Sequence, residues 1–182
     1  MRIKKDKDGF TLIEMLVVVT VLGVIVVLVT EILFTIVRSA NKSRLTTDAK
    51  QNGEYALAVM SKMIRNAKTV TCDSSSGTAS EITILNPDFN STTFEFVTDP
   101  LVDNVRVASS SAGVREYLTS SKVTIPAGTA SFECIPSILP SNHVDGYPDT
   151  IIINFQLTTV GNYREEEKIN LTFKTTVITR NY

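Results

Sequence analysis

Residues 10–37 form an apolar run of about 28 residues, broken near its start by one carboxylate, Glu14, and preceded by a short charged leader over residues 1–9. A helix rises about 1.5 Å per residue, so this run can cross a hydrocarbon core of about 30 Å with some length left over. Everything downstream therefore reads as cargo on a membrane stem. Glu14 is the discordant residue, because a carboxylate in lipid costs roughly a few kcal/mol unless something pairs with it.

Taking the stem away leaves roughly 110 residues, room for one domain with a modest core. The 182-residue chain has a formal net charge of −1, and losing the leader, with Arg2, Lys4, Lys5 and Lys7 against Asp6 and Asp8, brings it to −3. That balance argues against a general nucleic-acid surface, so no specific nucleic acid is expected as a partner. Arg38, Lys42, Arg44 and Lys50 follow the run as closely as the leader's four basic residues precede it. The positive-inside rule gives a tie, and basic residues so placed serve as interfacial anchors.

Beyond the stem, Leu45, Ala49, Asn52, Ala56, Val59, Met63, Ala67 and Val70 recur at three- and four-residue steps, the stripe of an amphipathic helix. No proline precedes Pro87, so one helix from Phe10 to about Lys68 is the simplest reading. Gly23 and Gly53 are its soft points, each about 1 kcal/mol worse than alanine. A polar, small-residue stretch over 72–80 then ends the helix, and the period changes to two. Strands are predicted over 81–85, 93–98, 104–108, 113–119, 122–125, 130–135, 150–159 and 165–179. The fold class is therefore α+β: one long N-terminal helix packed on an antiparallel sheet domain. Its segments are a leader (1–9), a membrane helix (10–37), an amphipathic continuation (38–71) and the sheet domain (72–182).

The turn between the last two strands tests register. A two-residue loop at Gly161 and Asn162 would put Phe155 opposite Lys168, mixing apolar and polar residues on one face. A three-residue loop or bulge near residues 161–163 instead pairs Phe155 with Ile169 and Ile153 with Leu171, and is the predicted geometry. Ala130, Phe132 and Cys134 share a face, which points Cys134 inward.

The stretch Gly9-Phe10-Thr11-Leu12-Ile13-Glu14, with basic residues before it and a long apolar helix after it, resembles the processing and methylation motif of type IV pilins and pseudopilins. The resemblance implies cleavage between Gly9 and Phe10 by a prepilin peptidase, which also methylates the new amine of Phe10. It implies that Glu14 pairs with the terminal amine of a neighbouring subunit, the carboxylate and ammonium offsetting each other's burial. The plainer alternatives are a Glu14 at headgroup level or one folded back on its own terminus. Residues 57–67 and the tail over 175–181 are similar to the helix end and closing strand of W-type minor pilins and J-type pseudopilins, low-copy subunits that initiate or cap a fibre. The implied partners are other pilin subunits through the N-terminal helix, the prepilin peptidase and methyltransferase, an inner-membrane assembly platform and membrane lipid. The leader would be cytoplasmic and the domain outside, first on the inner membrane and then in a cell-surface fibre.

With the domain outside, the even cysteine count favours one disulfide, Cys72 to Cys134, against the alternative of two buried free thiols. No metal site and no cofactor are expected, since His143 is the only histidine and no CxxC pair occurs. His143 reads as a solvated loop residue, and Asn142, Asp145 and Asp149 lack the spacing of a calcium loop. No nucleophile with a base suggests an enzyme. The reading is a structural fibre subunit, a minor pilin or pseudopilin of a type IV pilus-like or type II secretion fibre. Its rivals are a permanently anchored extracytoplasmic binding domain with an uncut leader, and a secreted domain cut near Ala40.

Overall fold

The computed structural model describes residues 9–72, 78–135, 150–161 and 168–179. The leader up to Asp8, the loop with His143, Asn142, Asp145 and Asp149, the turn positions Asn162 and Tyr163, and the tail from Arg180 lie outside them. One helix, α1, spans Leu12–Asn66. The chain divides into two compact units, Met1–Asn41 and Lys42–Tyr182.

In the first unit α1 is apolar on every side. Its most apolar window has a mean hydropathy of 3.1, and none of it is covered within the chain. A helix that is hydrophobic all round is built for a membrane or a protein interior.

In the second unit the helix buries Ala49, Gly53, Ala56, Met60 and Ile64. Val59 and Met63, placed by periodicity at the centre of the stripe, are only half-buried, so the buried face is turned by one residue from the expected one. The helix stops at Asn66, where Ala67 N–H turns to Ile64 O at 3.2 Å and Lys68 N–H donates to Leu85 O at 2.8 Å. The β-branched run that follows enters a strand, β1 (Thr69–Cys72), instead of continuing the helix. Val70, expected on the helical stripe, thus belongs to a sheet.

Among the described residues nine further strands follow: β2 (Thr78–Ala79), β3 (Glu81–Leu85), β4 (Ser91–Asp99), β5 (Asn104–Ser111), β6 (Val114–Tyr117), β7 (Val123–Thr124), β8 (Ser131–Ile135), β9 (Thr150–Thr159) and β10 (Asn170–Ile178). They make two antiparallel sheets, in keeping with the expected α+β layout. The first runs β1-β3-β4-β5-β6; the second runs β10-β9-β8-β2, with β7 also paired to β9. Ile82, Ile84, Phe94 and Val107 from the first sheet share a core with Phe132, Ile151, Ile153, Phe155 and Leu157 from the second and with the helix stripe. Stacking of Phe96 on Phe132, with centroids 4.6 Å apart, joins the two sheets.

The register of β9 with β10 corrects the sequence-based expectation. Phe155 pairs with Phe173 and Ile153 with Thr175, not with Ile169 and Leu171. A shift of four residues keeps every side chain on its predicted face, because face depends only on whether the shift is even. The connection is longer than the three-residue loop, since the ladder already ends at Thr158 opposite Asn170. What the observed register gains is an aromatic pair, Phe155 on Phe173 with centroids 5.4 Å apart.

Gly53 is likewise a packing site and not a soft point. A Cβ built on it would fall under 3.0 Å from Cζ, Cε1 and Cε2 of Phe173, so the ring lies directly against the helix backbone. The lack of a side chain at Gly53 lets the helix settle close to β10 at this point.

Candidate assembly interface on the N-terminal helix

Thr11 is placed to start α1. Its Oγ1 accepts the N–H of Glu14 at 3.3 Å, and its carbonyl accepts the N–H of Met15 at 3.2 Å. This is the N-cap arrangement, with Thr11 as cap and Glu14 at the third helical position, the T-x-x-E spacing of a capping box. Only half of the box is made: among the described residues the Glu14 carboxylate has no hydrogen-bond or ion-pair partner. A carboxylate in the first turn also complements the helix dipole.

Gly9 and Phe10 lie just ahead of the cap. Phe10 is 72% exposed, and nothing stands within 4 Å of the position a side chain would occupy on Gly9. A cut between them would place the new terminal amine on Phe10, one residue before Thr11.

Along the apolar segment the hydroxyls turn inward. Thr20 donates to Val17 O at 2.8 Å, Thr30 to Val26 O at 2.7 Å and Thr35 to Glu31 O at 2.9 Å. Back-bonding of this kind hides the polar atom in the helix itself. The second interruption is Glu31, followed by exposed Ile32, Leu33, Phe34, Ile36 and Val37 and then by Arg38. Sequence reasoning passed over Glu31, although a lone charge in an otherwise apolar window is visible without coordinates.

The remaining predicted pair sits in the globular unit. Cys72 of β1 and Cys134 of β8 form a disulfide, with Cα atoms 6.4 Å apart across a separation of 62 residues. It ties the first sheet to the second. On the chain-entropy account such a closure stabilises by about 4 kcal/mol. A second clamp, unseen in the sequence, closes the turn between β4 and β5. The Asp99 carboxylate accepts Leu101 N–H at 3.0 Å, and Arg106 donates to Asp99 and to the carbonyl of Thr119. The Leu101 N–H holds the Asp99 carboxyl below the usual carboxylate range; burial opposes this and Arg106 reinforces it. Among the described residues no group of three His, Cys, Asp or Glu side chains stands where it could hold a metal ion.

No match was found among curated proteins or solved structures. Residues 4–30, which include Gly9, Phe10, Thr11, Glu14 and the first three quarters of the apolar run, match the family described as the prokaryotic N-terminal methylation motif. With that motif opening a helix that leads into antiparallel sheets, the chain carries the signature of the type IV pilins and pseudopilins on a pilin-like α+β layout.

Proposed function

We propose that the protein is a structural subunit, a minor pilin or pseudopilin, of a type IV pilus-like or type II secretion fibre. The observation that carries the reading is the methylation motif placed on an exposed helix start whose Glu14 carboxylate has no partner among the described residues. The subunit is held in the inner membrane by α1, with the leader cytoplasmic and the sheet domain outside. A prepilin peptidase cuts after Gly9 and methylates Phe10. An assembly platform then moves the helix from lipid into a fibre, where sister helices cover it. Its activity is assembly and not chemistry. Glu14 sets alignment there, because a subunit in the wrong place leaves a buried charge unpaired.

The test is the intact mass and N-terminal sequence of the protein from native membranes, with and without the peptidase. A chain starting at Phe10 with one added methyl, seen only when the peptidase is present, is the expected result. A chain starting at Met1 despite active peptidase, or near Asn41, would overturn the reading.

A further inference from the structure

β10 ends the second sheet, and with nine residues it is long for an edge; the other strands that end a sheet, β1, β6 and β2, have four, four and two. The direction of its backbone groups follows from the ladder. Thr159 N–H donates to Ile169 O at 3.3 Å, so Ile169 and, by alternation, Leu171, Phe173, Thr175 and Val177 turn their amides and carbonyls toward β9. Val160 N–H points the other way, donating at 2.8 Å to the carbonyl of Lys122 just ahead of β7, which fixes the same alternation from the β9 side. Thr172, Lys174 and Thr176 therefore aim their N–H and C=O groups outward, and among the described residues those groups meet no partner. Their side chains are exposed. An open row of this kind is a template for another strand, and natural edges of this length are covered, bent or charged. Lys174 is the only charge on this one.

We propose that β10 is a docking strand: an extended segment of a partner protein adds antiparallel to its outer edge, with a carboxylate opposite Lys174 and an apolar side chain on either side of that carboxylate. Beside the edge, between β10 and the helix, lies a groove of about 370 Å³ lined by Leu57, Leu171 and Phe173 together with Lys50 and Glu54. An added strand alternates as β10 does, so its residues on the face of Phe173 and Thr175 enter the groove and those between them stand beside Thr172, Lys174 and Thr176. Charge selects the occupant. Lys50 is matched by Glu54 at 3.7 Å, whereas Lys174 has no carboxylate near it among the described residues, so the edge carries one uncompensated positive charge. A second copy of β10 is a poor occupant, because the two-fold register that pairs the whole strand sets Lys174 against Lys174. A carboxylate at that place turns the repulsion into a cross-strand pair. The site lies wholly within the unit Lys42–Tyr182 and stands apart from the fibre reading.

The probe is an acetylated and amidated heptapeptide, Val-Thr-Val-Glu-Val-Thr-Val, titrated into the full chain in detergent micelles. Amide exchange should slow at least about tenfold at Thr172, Lys174 and Thr176, while Phe173 and Thr175, already bonded to β9, change little. Methylating the backbone nitrogen of the central glutamate, which faces β10, should weaken binding at least about tenfold; methylating those of the two flanking valines, which face away, should not. Lysine in place of that glutamate should bind about fivefold more weakly, and Lys174→Glu should reverse the order. Thr172→Pro removes an outward N–H and no ladder bond, so Tm should hold while affinity falls at least about tenfold.

Affinity indifferent to which nitrogens are methylated, protection at amides other than these three, or no binding at millimolar peptide would overturn the proposal. So would protection of the three amides before any peptide is added. If that protection grows with chain concentration the occupant is a second copy, and if it does not, the chain covers its own edge.

Discussion

Replacing Gly53 with alanine tests whether the helix and β10 approach as closely as described. On an exposed helix the change would stabilise by about 1 kcal/mol, because alanine is the better helix former. Here the added methyl lands under 3.0 Å from the tip of the Phe173 ring, which must retreat at least about 0.5 Å to regain an ordinary carbon–carbon separation. Phe173 is stacked on Phe155, whose ring is fully buried and tilted against Phe96 at 6.0 Å. A groove of about 370 Å³ beside Phe173, lined also by Lys50, Leu57 and Leu171, gives the ring an exit, but leaving forfeits the stack. Overpacking of about 1–3 kcal/mol and a lost aromatic pair of about 0.5–1.5 kcal/mol outweigh the helical gain. The expected net loss is about 1–3 kcal/mol, a fall of about 2–10 °C in Tm for a chain of this size.

The assay is thermal unfolding of the full chain in detergent micelles, followed by circular dichroism, in a double-mutant cycle with Phe173→Leu. Leucine ends short of the ring tip. In that background Gly53→Ala should raise Tm by about 1–4 °C, so the two changes couple by at least about 1.5 kcal/mol. A higher Tm for Gly53→Ala alone, or simple additivity with Phe173→Leu, would refute the close approach.

Replacing both Cys72 and Cys134 with serine should cost about 4 kcal/mol and lower Tm by about 8–16 °C, and reductant should produce the same fall in the native chain but none in the double variant. Asp99 has a depressed native value, so between that value and the unfolded one, about 3.9, the unfolded chain binds more protons. Its contribution is present above about pH 4 and is lost as pH falls through the native value; Asp99→Asn should flatten the acid side of a Tm-against-pH curve while leaving its neutral limb sloped as before. Asp88, held low by the Asn90 side chain, acts with the same sign and should leave a residual slope. Thr11→Ala should fray the helix start by about 1 kcal/mol, read as faster amide exchange at Glu14, without loss of membrane insertion. Glu14→Ala or Glu14→Val should insert into membranes normally yet fail to enter fibres, as counted by subunits per sheared fibre.

Much of this architecture was legible because it is local. The alternation of Ile151, Ile153, Phe155 and Leu157 marked β9 to the residue, and the period of two marked β3. Cys72 and Cys134 could be paired once they were placed outside, with one on a face shared with Phe132. What escaped is tertiary. Val70 satisfies a helical period and a strand period equally, and only its pairing with Ile84 decides. β2 has two residues and no period of its own. The β9–β10 register could slip by any even number without exposing an apolar side chain, so the choice fell to the Phe155–Phe173 stack. Gly53 carries a penalty seen from its own helix and a purpose seen only from β10. The Asp99–Arg106 clamp joins residues whose types are ordinary in any loop.

The inward-turned hydroxyls of Thr20, Thr30 and Thr35 bear on how the stem could change surroundings. Each is already satisfied by a carbonyl one turn back, so moving the helix from acyl chains to protein exchanges no hydrogen bond at these positions. In both settings its neighbours are hydrocarbon of similar polarity, and the difference in free energy over this length is small. On the proposed fibre reading, transfer between lipid and fibre would therefore be nearly neutral along the apolar part, and the ionised residues Glu14, Glu31 and Arg38 would set the difference.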